Sequence, residues 1–337
     1  MDERSRKILK AIVEHYVKTV KPVGSKSLCK KFKLSSATIR NEMAELEKLG
    51  YIEKSHISSG RTPSKLGYEY YVENLMEPEK LTGTDVLKLQ TIVNNKSLVL
   101  SDTISKCMEI ISELTNYASV VLGSSAQENY LQQVNIIPID DFKIVALVCT
   151  NRGIVENKKF NLDENTNIKE LIKTSEIINK LLVGTPINEV SSRLEYEIKP
   201  IISKQLQDYE TVYNIFYNAF SDFASDTKRE MQVVGKTKIL EQPEYSDATT
   251  IKRIACKLED EEFIRSVVED KDSEEIKVYI GEDSEVDENT TVIRRKYNIN
   301  GEKGTIAIIG PKRMEYGKVF GLLNYVLDEV KKKDDTK

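Results

Sequence analysis

The sequence predicts a multidomain α+β protein in which a small helical N-terminal module precedes a sheet domain that carries a helical insertion. Apolar residues recur at helical spacing through the first fifty residues. Short β-rich runs occupy 119–160, and further β-rich runs follow a long helical stretch at 276–310. At roughly 100–200 residues per domain, a chain of this length has room for two or three domains.

The composition excludes several classes of protein. Hydrophobic residues make up 39% of the 337 residues and charged residues 31%, which is enough apolar surface for packed cores and argues against disorder. No stretch approaches the roughly 18 uncharged apolar residues of a membrane-spanning helix. Glu14, His15 and Lys18 interrupt the first apolar run, unlike a signal peptide. We therefore expect a cytoplasmic protein with no membrane contact.

Cysteine and histidine usage argues against metal and redox chemistry. The chain has two histidines and four singly scattered cysteines: His15, His56, Cys29, Cys107, Cys149 and Cys256. This spacing supports neither a zinc site nor a disulfide framework. We expect no catalytic residue, no metal and no cofactor.

The charge is unevenly distributed along the chain. Residues 1–75 hold 15 Lys and Arg against 9 Asp and Glu, a net charge of +6. The whole chain carries −4, so the remainder carries −10. A basic N-terminal module on an acidic body indicates contact with nucleic acid, although small helical modules can also be basic by chance.

Three helices are predicted in the first fifty residues. Apolar residues at steps of three and four predict the first helix over 2–20. Ser25 is positioned to cap a short second helix, and Ser35 or Ser36 to cap a third after a brief turn. Two helices joined by a tight turn form a helix-turn-helix unit.

The third helix has two chemically different faces. Ile39, Met43 and Leu46 share one face, which we expect to pack on the first helix. The opposite face combines small residues with polar donors: Ala37, Thr38, Arg40, Asn41, Ala44 and Lys48. Arg can pair with guanine, Asn with adenine, and Thr with phosphate or a thymine methyl group, while the N–H groups after Ser36 point toward phosphate. An ordinary amphipathic helix with a solvated face is the alternative.

A polar hairpin follows the third helix. Gly50 ends the helix, an extended stretch begins after it, and 54–63 form a polar hairpin tip. A hairpin at this place is the wing of a winged helix, from which Lys54, His56 and Arg61 could reach phosphates or an adjacent groove. For His56, an exposed loop position without a role is the alternative.

The insertion carries its own signal. Large apolar residues recur at alternating steps of three and four, as in a heptad seam: Leu206, Tyr209, Tyr213, Phe216, Phe220 and Phe223. So many large side chains on one helix need a substantial partner surface. We predict that this seam is a homodimer interface, with a helix buried inside one chain as the alternative.

Several sequence blocks resemble a known family. The run SSATIRNEMAELEKLGYIEKSHISSGRTPSKLGYEYYV at 35–72 is similar to the N-terminal domain of the heat-inducible transcription repressor HrcA family. Further blocks agree in the same order: 21–28, 115–123, 153–160, 241–247 and 304–319. Among them GPKRMEY is specific, since generic winged helices have nothing like it. One departure is the block at 290–297, where the family often has a Cys-Ser pair and this chain reads TTVIRRKY.

The resemblance implies a fold and a function. The fold would be an N-terminal winged helix-turn-helix, a central GAF-like antiparallel sheet domain and an inserted helical dimerisation subdomain. The function would be a dimeric repressor of chaperone operons that binds the CIRCE inverted-repeat operator in double-stranded DNA. The GroEL chaperonin would keep it active, and heat stress would inactivate it by occupying the chaperonin with unfolded proteins.

These expectations lead to a division of the chain and leave two alternative functions open. We expect a DNA-binding domain at 1–76, a linker at 77–100, a GAF-like domain in two parts at 101–185 and 251–337, and the dimerisation insertion at 186–250. One alternative keeps the DNA-binding module but makes the body a small-molecule sensor. The other is an enzyme with a DNA-binding appendage, for which no catalytic constellation stands out.

Overall fold

The chain divides into two compact units in a computed structural model. The main unit joins Met1–Gly123 with Met231–Lys337, and the inserted unit is Ser124–Glu230. The structure describes the following residues: 1–54, 60–123, 129–163, 166–206, 208–225, 231–269, 275–299 and 301–335. Along these residues, no helix is both long and apolar enough to cross a lipid bilayer.

Of the helices and strands in the described residues, the main unit contains the first nine and the last eight, and the inserted unit contains those between them. In chain order the elements are α1 (Glu3–Thr19), α2 (Ser25–Phe32), α3 (Ser36–Lys48), β1 (Ile52–Lys54), β2 (Arg61–Pro63), α4 (Lys65–Asn74), α5 (Gly83–Val93), α6 (Leu100–Thr115), β3 (Ala118–Leu122), β4 (Leu131–Asp140), β5 (Lys143–Thr150), β6 (Val155–Asn161), α7 (Ile168–Leu182), α8 (Ile187–Arg193), α9 (Lys199–Ile202), α10 (Tyr209–Ser225), β7 (Met231–Val234), α11 (Lys236–Leu240), α12 (Ala248–Glu259), α13 (Glu261–Val268), β8 (Lys277–Ile280), β9 (Thr290–Ile299), β10 (Glu302–Pro311) and α14 (Tyr316–Asp335). A π-helical turn, Leu194–Ile198, joins α8 to α9.

The N-terminal module is a winged helix, as predicted. Its core is formed by apolar residues at helical spacing, with Ile8, Ile12, Ile39 and Leu46 fully buried. The strands β1 and β2 pair antiparallel to form the base of the wing. The backbone of Val23 pairs with β2 as well, which fixes the hairpin to the segment between α1 and α2.

The sheet of the main unit is antiparallel and covered on both faces. Its described strands have the order β7-β3-β10-β9-β8. Along β10, Ile306 and Ile308 join a core with α6 and α14, whereas Ala307 and Ile309 join a core with α12 and α13. Burial on both faces explains why the β10 sequence is an almost continuous apolar run. The mixed helix and antiparallel sheet fold is therefore confirmed.

The inserted unit has a core of its own. Its three described strands have the order β4-β5-β6, all antiparallel. Alternate residues of β5, from Ile144 to Val148, are buried against a layer formed by α7, α8, α9 and α10. The intervening residues of β5 lie on the other face of the sheet and are half-buried.

The predicted limits of the insertion are corrected by this division. The insertion was expected at 186–250, but the compact unit is Ser124–Glu230. The reason is strand pairing, because β4, β5 and β6 pair with one another, while β7 returns to β3 of the main sheet. The linker predicted at 77–100 also contains a helix, α5, whose Leu89 and Val93 are buried.

The predicted dimer seam is also corrected. Phe216 and Phe220 are completely buried inside the inserted unit, and Tyr213 is 8% exposed. Leu206 and Tyr209 pack against the same core. A side chain already buried in its own chain has no surface for a second copy, so Tyr213, Phe216 and Phe220 belong to a core within one chain, which is the alternative that the sequence left open. The Phe223 side chain lies outside the described residues.

Candidate nucleic-acid interface

Ser35 caps the start of α3, whereas Ser36 contacts the preceding helix. The Ser35 hydroxyl accepts a hydrogen bond from the Thr38 backbone N–H at 3.1 Å and also contacts the Thr38 hydroxyl at 2.9 Å. The Ser36 hydroxyl lies 2.9 Å from that of Ser25, the first residue of α2. The two hydroxyls therefore join the starts of the two helices of the helix-turn-helix.

The rotation of α3 about its axis is fixed from its inner side. Ile39, Met43 and Leu46 are buried, as predicted. Glu42, half-buried beside them, accepts a hydrogen bond from the Ser5 hydroxyl of α1 at 2.7 Å. These contacts turn the opposite face outward, and its residues are exposed: Ala37, Arg40, Asn41, Ala44 and Lys48.

The polar groups on the outer face of α3 are available for binding. Within the described part of the chain, the side chains of Arg40, Asn41 and Lys48 make no hydrogen bond or ion pair. Ala37 and Ala44 on the same face have short side chains, so a groove of DNA can approach the helix backbone closely. The guanidinium and amide groups match the hydrogen-bonding edges of guanine and adenine in the major groove.

The two basic residues at the base of the wing share one carboxylate. Glu47 forms an ion pair with Arg61 at 2.7 Å and lies 3.5 Å from the Lys54 ammonium. The Arg61 side chain is only 17% exposed, whereas that of Lys54 is 70% exposed. Arg61 is therefore placed to position the wing, and Lys54 is the one exposed toward solvent. His56 was predicted to lie at the wing tip, outside the described residues.

Three further cations were not predicted from the sequence. Lys26 and Lys30 on α2 and Lys33 after it are exposed and pair with no described side chain. Their neighbour Lys31 is different, since its ammonium lies 3.4 Å from the Glu14 carboxylate. The signal was present as a run of lysines in the first helix of the helix-turn-helix, a helix that crosses the DNA backbone in this motif.

Two concavities in the described part of the sheet domain differ in size and lining. An enclosed cavity of about 50 Å³ beside Arg294 and Tyr279 has room for little more than water. A wide, open groove of about 490 Å³ lies on the surface, and its two cations are engaged within the chain, since Arg253 pairs with Asp287 and Lys257 donates to backbone carbonyls. Among the described residues, no three His, Cys, Asp or Glu side chains come together as a metal site.

An exposed polar recognition helix within a helix-turn-helix, followed by a hairpin, defines a winged-helix DNA-binding protein. Comparison with known families agrees with this class. The family model described as "Winged helix-turn-helix transcription repressor, HrcA DNA-binding" matches residues 1–72, and "HrcA protein C terminal domain" matches 101–320. The chain belongs to the HrcA family of transcription repressors.

Individual relatives match over almost their whole length. The heat-inducible transcription repressor HrcA of Bacillus pumilus (strain SAFR-032) is 36% identical over 331 residues, covering 97% of this chain and 96% of the relative. That of Listeria monocytogenes serotype 4a (strain HCC23) is 35% identical over 329 residues, covering 96% and 94%. Since these relatives are repressors, the prediction of a non-enzymatic role is confirmed.

A solved structure shares the fold. A crystal structure described as that of a hypothetical protein at 2.2 Å resolution superposes with a TM-score of 0.68. It covers 100% of this chain and 99% of its own, at 22% sequence identity. The likeness extends over both units and concerns the fold alone.

Proposed function

We propose that the chain is a dimeric repressor of chaperone operons, acting in the cytoplasm, that binds the CIRCE inverted repeat and loses activity on heat stress. The observation that carries this proposal is the outward face of α3, where Arg40, Asn41 and Lys48 are exposed and engaged by no described residue. Membership of the HrcA family and the words "heat-inducible" in the relatives' names support the link to heat.

In this proposal, different residues contact the DNA bases and the DNA phosphate backbone. Arg40 and Asn41 enter the major groove and read a guanine and an adenine. Thr38 and Ser36, at the start of the helix, face the phosphate backbone together with Lys48 and Lys54. Phosphate contacts make the affinity fall steeply as salt rises, because bound cations leave the DNA when the protein binds.

An inverted repeat calls for two copies of the protein related by a two-fold axis. The inserted unit offers a surface for this, which we call the outer sheet face. It consists of the residues of β4, β5 and β6 that point away from the helices. Its apolar members are exposed or half-buried: Ile137, Ile139, Val145, Leu147, Cys149 and Val155. We propose that a second copy of the chain packs on this face.

The same face gives a physical reason for dependence on a chaperonin. A chain that has not yet found its partner exposes the apolar residues of this face to solvent, which promotes aggregation. A chaperonin such as GroEL binds exposed apolar surface and returns the chain to the assembly-competent pool. When heat fills the chaperonin with other unfolded proteins, unpartnered repressor is lost and the operons are transcribed. The main sheet would be the GAF-like domain that supports this assembly.

The direct test is fluorescence-anisotropy binding of the purified full-length protein to labelled duplexes. One duplex carries the intact inverted repeat, a second carries one half-site and a third is scrambled. We expect tight binding to the intact repeat alone, a steep decrease with salt, and a larger active fraction when chaperonin is present. Equal, salt-labile binding to all three duplexes, with or without chaperonin, would contradict the proposal.

A further inference from the structure

The winged helix is fastened to the sheet domain at a cluster of buried tyrosines. Tyr68 of α4 is 2% exposed and Tyr316, the first residue of α14, is 1% exposed. Their ring centroids are 6.1 Å apart, and Tyr71 approaches the same Tyr316 ring edge-on at 6.4 Å. Such aromatic contacts are favourable beyond the area that they bury. The core of the winged helix is thereby continuous with that of the sheet domain.

The central ring of this cluster is held rigidly by the sheet domain. The Tyr316 hydroxyl donates to the Lys312 carbonyl at 2.6 Å and lies 3.2 Å from the Thr291 hydroxyl. Burial raises the pKa of Tyr71 to about 12, so this phenol is uncharged at physiological pH. The contact is therefore a neutral, well-packed one that belongs to the specific GPKRMEY block of the sequence.

An ion pair fastens the winged helix at a second point. The ammonium group of Lys65, at the start of α4, lies 2.8 Å from a carboxylate oxygen of Asp283 in the turn after β8. Lys65 also lies 3.8 Å from Glu69 on its own helix. Hydrogen bonding to the Asp283 carboxylate raises the pKa of Lys65.

The segment after α4 is fastened at a third point. The backbone N–H of Glu79 donates to the Gly317 carbonyl of α14 at 2.8 Å. Gly317 and Gly321 lie one turn apart on α14, and together they form the surface on which this segment packs, which we call the seat. A Cβ atom at Gly317 would come within 2.9 Å of the Glu77 carbonyl oxygen, and one at Gly321 would overlap that of Glu79. Only glycine therefore lets the segment lie so close to the helix.

These three fastenings leave the winged helix no free rotation about the segment that follows it, while its outer α3 face stays exposed. We propose that these three contacts, which we call the dock, help to set operator spacing: Tyr316, Gly321 and the Lys65–Asp283 pair hold each recognition helix at a fixed place on the sheet domain of its own chain. They act as positioning residues without touching DNA. This inference rests on the proposed function of a two-fold repressor.

Spacing matters because DNA is a helix. Half-sites one turn apart are separated by roughly 34–36 Å over 10–10.5 base pairs, so each added pair both translates and rotates a half-site. A rigid dock cannot follow such a change, and the second recognition helix then loses its half-site. A loosely tethered winged helix could follow the moved half-site. The two winged helices of a dimer would then add less to each other's affinity, because the effective concentration of the second one at its half-site is lower.

The test compares full-length variants on duplexes whose half-sites are moved by one or two base pairs. Gly321→Ala breaks the seat without altering charge. Lys65→Glu and Asp283→Lys each break the ion pair, and the two together restore it with reversed polarity. Gly83→Ala is the matched control, because its Cβ would meet nothing within 4 Å.

We expect the wild type to lose affinity about tenfold when the half-sites are moved by two base pairs, because the second head is then disengaged. Each breaking variant should bind the half-site normally, lose about tenfold on the native spacing, and accept all spacings within about threefold. The double charge swap and Gly83→Ala should keep the wild-type profile. Breaking variants that also keep it would overturn the inference.

A second readout does not depend on DNA. Hydrogen exchange of peptides covering 75–82 reports the bond from the Glu79 N–H to Gly317. This amide should be protected in the wild type and exchange freely in Gly321→Ala. Free exchange in the wild type would overturn the dock directly. A protected amide in a protein that does not prefer the repeat would instead refute the proposed function.

Discussion

Glu47, in the last turn of α3, holds Arg61 of β2 in a hydrogen-bonded ion pair. The Arg61 Nη2 and Nε atoms lie 2.7 and 2.8 Å from the same carboxylate oxygen. The backbone N–H and carbonyl of Arg61 also pair with those of Val23, at 2.9 and 2.8 Å. One residue therefore connects the recognition helix, the wing and the segment between α1 and α2. A change at this pair moves the wing relative to the bases that α3 would read.

Replacing Glu47 by Ala should lower the free energy of unfolding by about 1–2 kcal/mol, because it removes the carboxylate that pairs with the largely buried Arg61 guanidinium. Adding Arg61→Ala should recover part of this loss, since the largely buried charge that has lost the Glu47 carboxylate is then removed as well. A double-mutant cycle measured by chemical denaturation checks the coupling. Strictly additive losses would show that the two side chains act independently.

Lys54→Ala removes the exposed partner of the Glu47 carboxylate, in contrast to the largely buried partner Arg61. Its ion pair is exposed, so stability should change by less than about 0.5 kcal/mol. As a phosphate contact, its loss should reduce the slope of log affinity against log salt by about one per half-site. For Arg61→Ala the slope should change less than for Lys54→Ala. Equal slopes in Lys54→Ala and the wild type would remove Lys54 from the interface.

Replacing Arg40 or Asn41 by Ala should weaken operator binding by roughly 1–3 kcal/mol and relax base choice at one position in each half-site. Both side chains are exposed and neither supports the fold, so the thermal midpoint should stay unchanged. Anisotropy titrations on single-base variants of the repeat measure both effects. Lys88→Ala, an exposed cation on α5, is the control. A variant that weakens every sequence equally would identify its residue as a phosphate contact.

Replacing Phe216 or Phe220 by Ala should destabilise the inserted unit by about 3–5 kcal/mol, because each ring is wholly buried in its core. Tyr217→Ala on the same helix is the matched control, since that ring is 42% exposed. We expect it to cost less than about 1.5 kcal/mol, including its stacking on Tyr213. Stable, folded monomers of Phe216→Ala would revive the intersubunit seam.

The sequence was most informative where the determinants are local. Helix caps, helical periodicity and Gly50 follow one another within a few residues, so the winged helix and the outward face of α3 could be predicted. The pairing of Glu47 with Arg61 could not, because it forms only when β2 pairs with β1 and comes to lie beside the end of α3. The lysines in and after α2 were visible in the sequence but were not assigned to the interface, since a run of lysines does not show which of them face outward and are unpaired by neighbouring carboxylates.

The inserted unit shows which information the spacing of residues along the sequence does not contain. Strand propensity identified the segments of β4, β5 and β6, but not which sheet they join, because pairing is decided by tertiary contacts. The heptad spacing from Tyr209 to Phe220 correctly predicted a helix with one strongly apolar face. A single helix cannot tell whether its partner lies in the same chain or in another, and in this protein it lies in the same chain.

Removing α10 from the interface leaves the outer sheet face as the surface to test for dimerisation. Val145 and Leu147 stand at its centre on the middle strand, and Ile137 on β4 pairs directly with Val145. Ile137→Glu or Leu147→Glu places a charge on this face without touching the core on the other side of the sheet. Two such charges would face each other across a two-fold contact, and their desolvation is unfavourable.

We therefore expect Leu147→Glu to be a folded monomer by light scattering, with normal affinity for a half-site and an affinity for the intact repeat no better than for that half-site. The loss follows because two linked heads gain from each other only while they stay joined. Leu87→Glu is the matched control, since Leu87 is 63% exposed on α5 of the main unit. It should remain dimeric. If Leu147→Glu also remained dimeric, the second copy would bind another surface of the chain, and the outer sheet face would need a different explanation for its apolar residues.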